Sequence, residues 1–275
     1  MRTFKASCYY SSVIFVMVVL FASCGGRQEG ESRAITGNKE RTDLAGRSGE
    51  SLDEYPIPTS VEIVELLQRA GAPYILGISN PASNVDKYFT ERSKALNLGV
   101  YGADLSYAGT YEMNQEIMNY LQVSRQLIEE LNISTSFNSG FVDRVERNLE
   151  DKDSLINIVS ESFNDTYVFL TRNNRDDLAL LVMTGSMIEG MYLTSQIAIG
   201  ARDNSEITDI IIQQREPLEK LLDLLDDYDD DYINSLHKEL QEIHNFMDNL
   251  RSPMTNEEVN AFSDNIESLR SKVIA

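Results

Sequence analysis

"LALLVMTGSMIEGMYLTSQIAIG", residues 178–200, is the stretch on which the fold turns. It is apolar on nearly every side, carries the small residues Gly185, Ser186 and Gly190, and holds one charge, Glu189, near its midpoint. A helix that is apolar all round belongs in the middle of a domain. Its length also suits a membrane span, but a carboxylate at the bilayer centre costs at least about 2.5 kcal/mol, and Thr, Ser and Gln add to the mismatch. We therefore read 178–200 as the central helix of a folded body.

A second stretch, "KALNLGVYGADLSYAG" at 94–109, has the same character, with Gly99, Gly102 and Ala103 as small residues and Asp104 as its lone acid. Small residues at these positions let neighbouring backbones approach closely. At an offset of 83, Gly102 falls on Gly185 and Leu98 on Leu181, with Ala103 on Ser186 and Leu105 on Ile188 as similar pairs. That likeness raises a duplicated helical hairpin, although two identities are slender support.

The segments around these two are amphipathic. Met113, Ile117, Leu121, Ile128 and Leu131 form one apolar stripe, and Ile156, Val159, Phe163, Tyr167 and Leu170 a second. Ile233, Leu236, Leu240, Ile243, Met247 and Leu250 form a third, and Val259, Phe262, Ile266, Leu269 and Val273 a fourth. Steps of three and four trace one face of a helix, and no stretch alternates as a strand would. "TSVE" at 59–62 and "TNEE" at 255–258 read as capping boxes. Pro217 in "QQREPLEKLL" is expected to kink or split its helix, because proline lacks an N–H and clashes with the turn before it. The expected fold is all-α, a bundle of about seven helices over residues 59–275.

The N-terminal part is of another kind. Arg2 and Lys5 precede the apolar run Val13–Phe21, and Ala22 and Ser23 follow it. A positive start, a short apolar core and small residues are the parts of a secretory signal, here 1–23. The run falls short of the roughly 20 apolar residues of a spanning helix. Phe21-Ala22-Ser23-Cys24 resembles the lipobox of bacterial lipoproteins, with Phe21 departing from the usual leucine or other aliphatic residue. The resemblance implies a thioether-linked diacylglyceryl group on Cys24, cleavage after Ser23 and acylation of the new amino group, palmitate being a typical chain. One acyl chain binds a membrane only marginally, so stable anchoring takes two or more. Gly25 stands where some bacteria place an aspartate that retains lipoproteins in the inner membrane, which points to the periplasmic face of the outer membrane. The other cysteine, Cys8, leaves with the signal, so the mature chain has no internal disulfide. "LGVYGADLSYAG" and "GSMIEGMYL" are in turn similar to stretches of uncharacterised all-helical bacterial lipoproteins. That likeness implies a fold and carries over no functional residue.

Residues 24–58 are rich in Gly, Ser, Glu and Arg and poor in large apolar residues, so they read as a flexible stalk spanning about 30 Å. Cleavage after residue 23 leaves 22 basic against 44 acidic residues, a net charge of −22. Such a chain repels nucleic acid and anionic head groups alike. The expected partners are therefore the membrane, reached through the lipid on Cys24, and a protein of the envelope. Tryptophan is absent, which disfavours sugar-stacking platforms, although 13 tyrosines offer an alternative.

Asp104 and Glu189 are the sharpest candidates for chemistry. An unpaired buried carboxylate is costly, so each must be hydrogen-bonded, paired or protonated. If the two central helices pack together, both acids fall in one polar cluster with Tyr101, Tyr107 and Tyr192 around it. That cluster is either a small-ligand or proton site or a structural lock on helix register, and the second reading is favoured. His237 and His244 stand seven apart rather than at the spacing of four found in one-helix zinc sites, so no metal site is assigned to them. "DLLDDYDDDY" at 223–232 lacks the glycine and closing glutamate of an EF-hand and reads as a solvated surface or interhelical corner. GxSxG, GxxxxGK[ST] and GxGxxG motifs are missing, and no cofactor is called for. The functional expectation is a helical binding or scaffolding module with no evident catalytic activity. The alternative is a small-ligand-binding lipoprotein with its pocket at Asp104 and Glu189.

Overall fold

The computed structural model describes residues 57–133, 138–201 and 205–275; the expected signal sequence, Cys24 and the expected stalk up to residue 56 lie outside the described residues. The described residues form ten α-helices, one 3-10 helix and no strand. The helices are α1 (Ser60–Arg69), α2 (Glu91–Thr110), α3 (Asn114–Glu130), α4 (Asn138–Arg147) and α5 (Lys152–Arg172), followed by α6 (Asp176–Gly200), α7 (Ser205–Gln213), α8 (Arg215–Leu225), α9 (Asp231–Met247) and α10 (Asn256–Val273). The 3-10 turn Ala82–Lys87 lies between α1 and α2. The class is the expected one, and the count exceeds the expected seven because short helices of 9 to 11 residues are separate elements. The split between α7 and α8 falls at Gln214, three residues before Pro217, where the proline ring denies the preceding turn its place.

α6 is the axis of the body. Its residues 178–195 are all buried, as are almost all of 95–110 in α2. By length and composition α6 is able to cross a membrane, but here protein encloses it on every side. α2, α10, α1, α5, α7 and α8 pack on it, α3 closes the other flank of α2, and α9 rests on α8 and α10. The α9 and α10 stripes are buried in full, whereas Met113 and Ile156 lie at the half-buried margins of theirs. Packing starts two residues before the expected boundary, with Ile57 5% exposed.

The α2–α6 contact depends on two glycines. A Cβ on Gly99 would fall 2.0 Å from the Val182 carbonyl oxygen, and one on Gly185 would fall 1.9 Å from that of Leu96. Beyond this contact, Ser60 Oγ of α1 is 3.1 Å from Ser106 Oγ of α2, and a Cβ on Gly190 of α6 would lie 3.6 Å from Ile63 Cδ1 of α1. α1 thus covers the second halves of both helices, so α2 and α6 run in the same sense. The offset of 83 is not reflected in the packing, since Gly102 meets the Phe163 ring while Gly185 meets the Leu96 backbone.

Helix ends follow local chemistry. The Thr255 box forms in both directions with Glu258. A box absent from the expectations forms at Thr90 and Ser93. At "TSVE" the box is not made: the Thr59 hydroxyl donates to the Glu62 carboxylate and accepts no backbone N–H. At the C-termini of α1, α2, α3 and α5 the chain closes with paired 6→1 and 5→2 bonds, for example Ile133 N to Ile128 O at 3.1 Å and Asn132 N to Glu129 O at 3.1 Å. This closure needs one left-handed residue. Gly71 supplies it after α1, but Glu112, Asn132 and Asn174 take that conformation elsewhere without being glycine.

Candidate functional site

Asp104 lies five residues past Gly99 and Glu189 four past Gly185, so two helices running in the same sense bring both acids beyond their contact on one side. Both are fully buried. A third charge joins them from α10, that of Arg270, which is 7% exposed. Its Nε donates to Glu189 Oε2 at 2.6 Å and its Nη2 to Glu189 Oε1 at 2.7 Å, a two-pronged pair that occupies both carboxylate oxygens. Nη2 also donates to the Ile78 carbonyl at 3.3 Å. The guanidinium carbon stands 3.9 Å from the centre of the Tyr192 ring, a cation–π contact. Burial disfavours the Arg270 charge, but the Glu189 carboxylate outweighs it and holds the group protonated.

Asp104 has less support. Its Oδ2 accepts the Asn80 N–H at 3.1 Å, and among the described residues no side-chain cation donates to it. Burial, and then the Glu189 charge, raise its pKa well above the usual carboxylate range, against opposition from Arg270, Ser79 and the Asn80 N–H. The Ser79 hydroxyl lies near enough to act on Asp104, yet neither it nor Asp104 Oδ1 makes a well-formed hydrogen bond among the described residues.

The cluster is tied to the segment between α1 and α2. Asn80 donates through Nδ2 to the Tyr88 hydroxyl at 2.9 Å and accepts from Asn84 Nδ2 at 2.7 Å. The Tyr101 hydroxyl donates to the Pro81 carbonyl at 3.0 Å. Nearer the α1 end, the Tyr107 hydroxyl accepts the Ile75 N–H at 2.7 Å and the Tyr111 hydroxyl donates to the Ala72 carbonyl at 2.7 Å. Residues 72–88 are therefore a strap held down by buried and half-buried tyrosines, an aspartate and an arginine.

Of the residues singled out in the sequence, Asp104, Glu189 and Tyr192 converge on Arg270, and Tyr101 is adjacent through Tyr88, with ring centres 6.3 Å apart. Tyr107 belongs to a separate aromatic group, stacked on Tyr74 at 4.6 Å and edge-on to Tyr111 at 5.2 Å. Burial pushes its phenol up to about 12, against the Ile75 N–H. Cys24 lies outside the described residues. Arg270 itself escaped the reading of the sequence. Its signal is nonetheless present, because 266, 269, 270 and 273 are all buried, which puts a cation on the apolar face of α10.

The other candidates fall apart from this cluster. His237 is half-buried and His244 is 9% exposed, its Nδ1 3.7 Å from Asp248 Oδ2. Among the described residues no three His, Cys, Asp or Glu side chains gather as a metal site would require. The aspartate run occupies the corner between α8 and α9, where Asp230 caps α9 and pairs with Arg92 at 2.5 Å.

Fold and cluster together define an all-helical body stitched through its centre by a buried ion pair. Compared with known proteins, the chain matches no family model, and no curated protein or solved structure matches it significantly.

Proposed function

We propose that this chain is a lipoprotein of the cell envelope, cut before Cys24 and acylated there, whose helical body serves as a binding or scaffolding module beside the membrane. The lipobox-like Phe21–Cys24 supports the anchor, and the charge of −22 on the mature chain leaves covalent lipid as the means of holding the body there. The absence of aspartate at position 25 favours the periplasmic face of the outer membrane. One observation supports a module over a small-ligand site: both Glu189 oxygens and the Tyr192 ring that a ligand would use are already engaged, and of the two Asp104 oxygens only Oδ1 is left without a well-formed hydrogen bond among the described residues. Glu189 has both oxygens on Arg270, Tyr192 lies against that guanidinium, and Asp104 accepts from Asn80.

Metabolic labelling with an alkyne analogue of palmitate tests the anchor. The wild type should take up label and sediment with membranes, while Cys24→Ala should lose both properties. A Cys24→Ala protein that still fractionates with membranes overturns the proposal. Native mass spectrometry of the protein released from membranes tests the module. A stoichiometric small-molecule adduct that disappears in Glu189→Gln would restore the ligand-binding alternative.

A further inference from the structure

A pocket of about 30 Å³, partly open to solvent, lies away from the acidic cluster, between α2, α3, α4, α5 and α6. Its walls are apolar except for three hydroxyls: Ser124 of α3, and Ser162 and Thr166 of α5. The Phe163 ring packs so closely over Gly102 on one side that a Cβ on that glycine would come within 2.8 Å of it.

The three hydroxyls are not equivalent. Ser162 Oγ donates to the Val159 carbonyl at 2.6 Å and Thr166 Oγ1 to the Ser162 carbonyl at 2.8 Å. Each has one proton and has placed it, so each keeps only acceptor capacity to offer the pocket that its residue lines. Ser124 is 4% exposed, and its hydroxyl has no hydrogen-bond partner among the described residues. A buried donor left unmatched costs about 1–3 kcal/mol. The cavity thus offers one unplaced proton on α3 and two unfilled acceptors on α5. Water complements that set, with an oxygen to accept from Ser124 and two protons to donate to Ser162 and Thr166. The volume agrees: a water needs about 10–15 Å³ of such space, whereas a cavity that binds benzene measures about 150 Å³.

We infer that Ser124, Ser162 and Thr166 form a built site for one or two internal water molecules that bridge α3 to α5. This site does not depend on the lipoprotein reading.

The test uses the purified full-length chain in detergent micelles. Water-to-protein rotating-frame Overhauser spectra should show a long-lived water at the Thr166 methyl and the Ser124 β-protons. Dissolved xenon should leave the Ile128 and Val182 methyl shifts unchanged, since a hydrated cavity does not admit it. Ser124→Ala should abolish the water signal at Thr166. Should that variant fail to fold, Ser162→Ala, which removes one acceptor, should weaken the signal at least twofold. A wild type without the water signal, a wild type whose cavity takes up xenon, or a signal unchanged in the folded variant overturns the inference.

Discussion

Arg270 and Glu189 stand 81 residues apart in the chain and meet through two hydrogen bonds of 2.6 and 2.7 Å, with the guanidinium lying over the Tyr192 ring. The pair joins the last helix to the central one and, through the Ile78 carbonyl, holds the strap between α1 and α2. Breaking a buried pair from one side leaves a charge without compensation, whereas replacing both partners by apolar groups of like volume is far milder.

Arg270→Met and Glu189→Leu should each destabilise the protein by about 3–5 kcal/mol, and the double variant should recover most of that loss. Urea denaturation of the four proteins measures the coupling. Purely additive effects would show that the pair is not an energetic unit.

Asp104 predicts a pH dependence with a definite sign. Its pKa is raised in the folded protein by burial and by Glu189, so above the unfolded value of about 3.9 the folded chain binds more protons than the unfolded one. Stability therefore falls as pH rises from there towards the folded-state pKa, by up to about 1.4 kcal/mol per pH unit. Asp104→Asn keeps the shape and cannot ionise. Its stability relative to wild type should grow with pH between 5 and 8, as read from denaturation midpoints. A difference constant over that range would contradict the raised pKa.

Glycines of the same helix should respond in opposite ways. Gly185→Ala puts a methyl into the Leu96 backbone and, like Gly99→Ala, should cost at least about 1–3 kcal/mol by forcing α2 and α6 apart. Gly190→Ala meets only Ile63 Cδ1 at 3.6 Å and should be neutral or stabilise by about 0.5–1 kcal/mol through helix propensity. Thermal melts of the three variants distinguish the outcomes.

The strap should loosen locally when its anchors are cut. Tyr107→Phe leaves the Ile75 N–H without its acceptor, a loss of about 1–2 kcal/mol, so exchange of that amide should speed up roughly tenfold. Tyr101→Phe should do less, because the Pro81 carbonyl it releases belongs to an exposed residue that water can reach. Amide hydrogen exchange followed by NMR resolves the two.

Much of this was legible in the chain because it is local. Helical periodicity marked the α3, α5, α9 and α10 stripes, and the absence of a polar face marked 94–109 and 178–200 as interior. Burial made it necessary that Asp104 and Glu189 find partners, but not which ones, because the cation that answers Glu189 arrives from a helix 81 residues on. The helix count went astray because α1, α4, α7 and α8, of 9 to 11 residues, are separate elements too short to carry a long periodic stripe. Only packing reveals that they are.

What the amino-acid order determined by itself is the class of the fold, through the 3.6-residue recurrence of apolar side chains, and the need to neutralise charges that this recurrence buries. What the tertiary structure alone decided is the pairing. It set Gly99 and Gly185 at the α2–α6 contact, gave Glu189 to Arg270, and left Asp104 to a backbone N–H. Periodicity acts between near neighbours along the chain, whereas these choices depend on which distant backbones can approach within van der Waals contact.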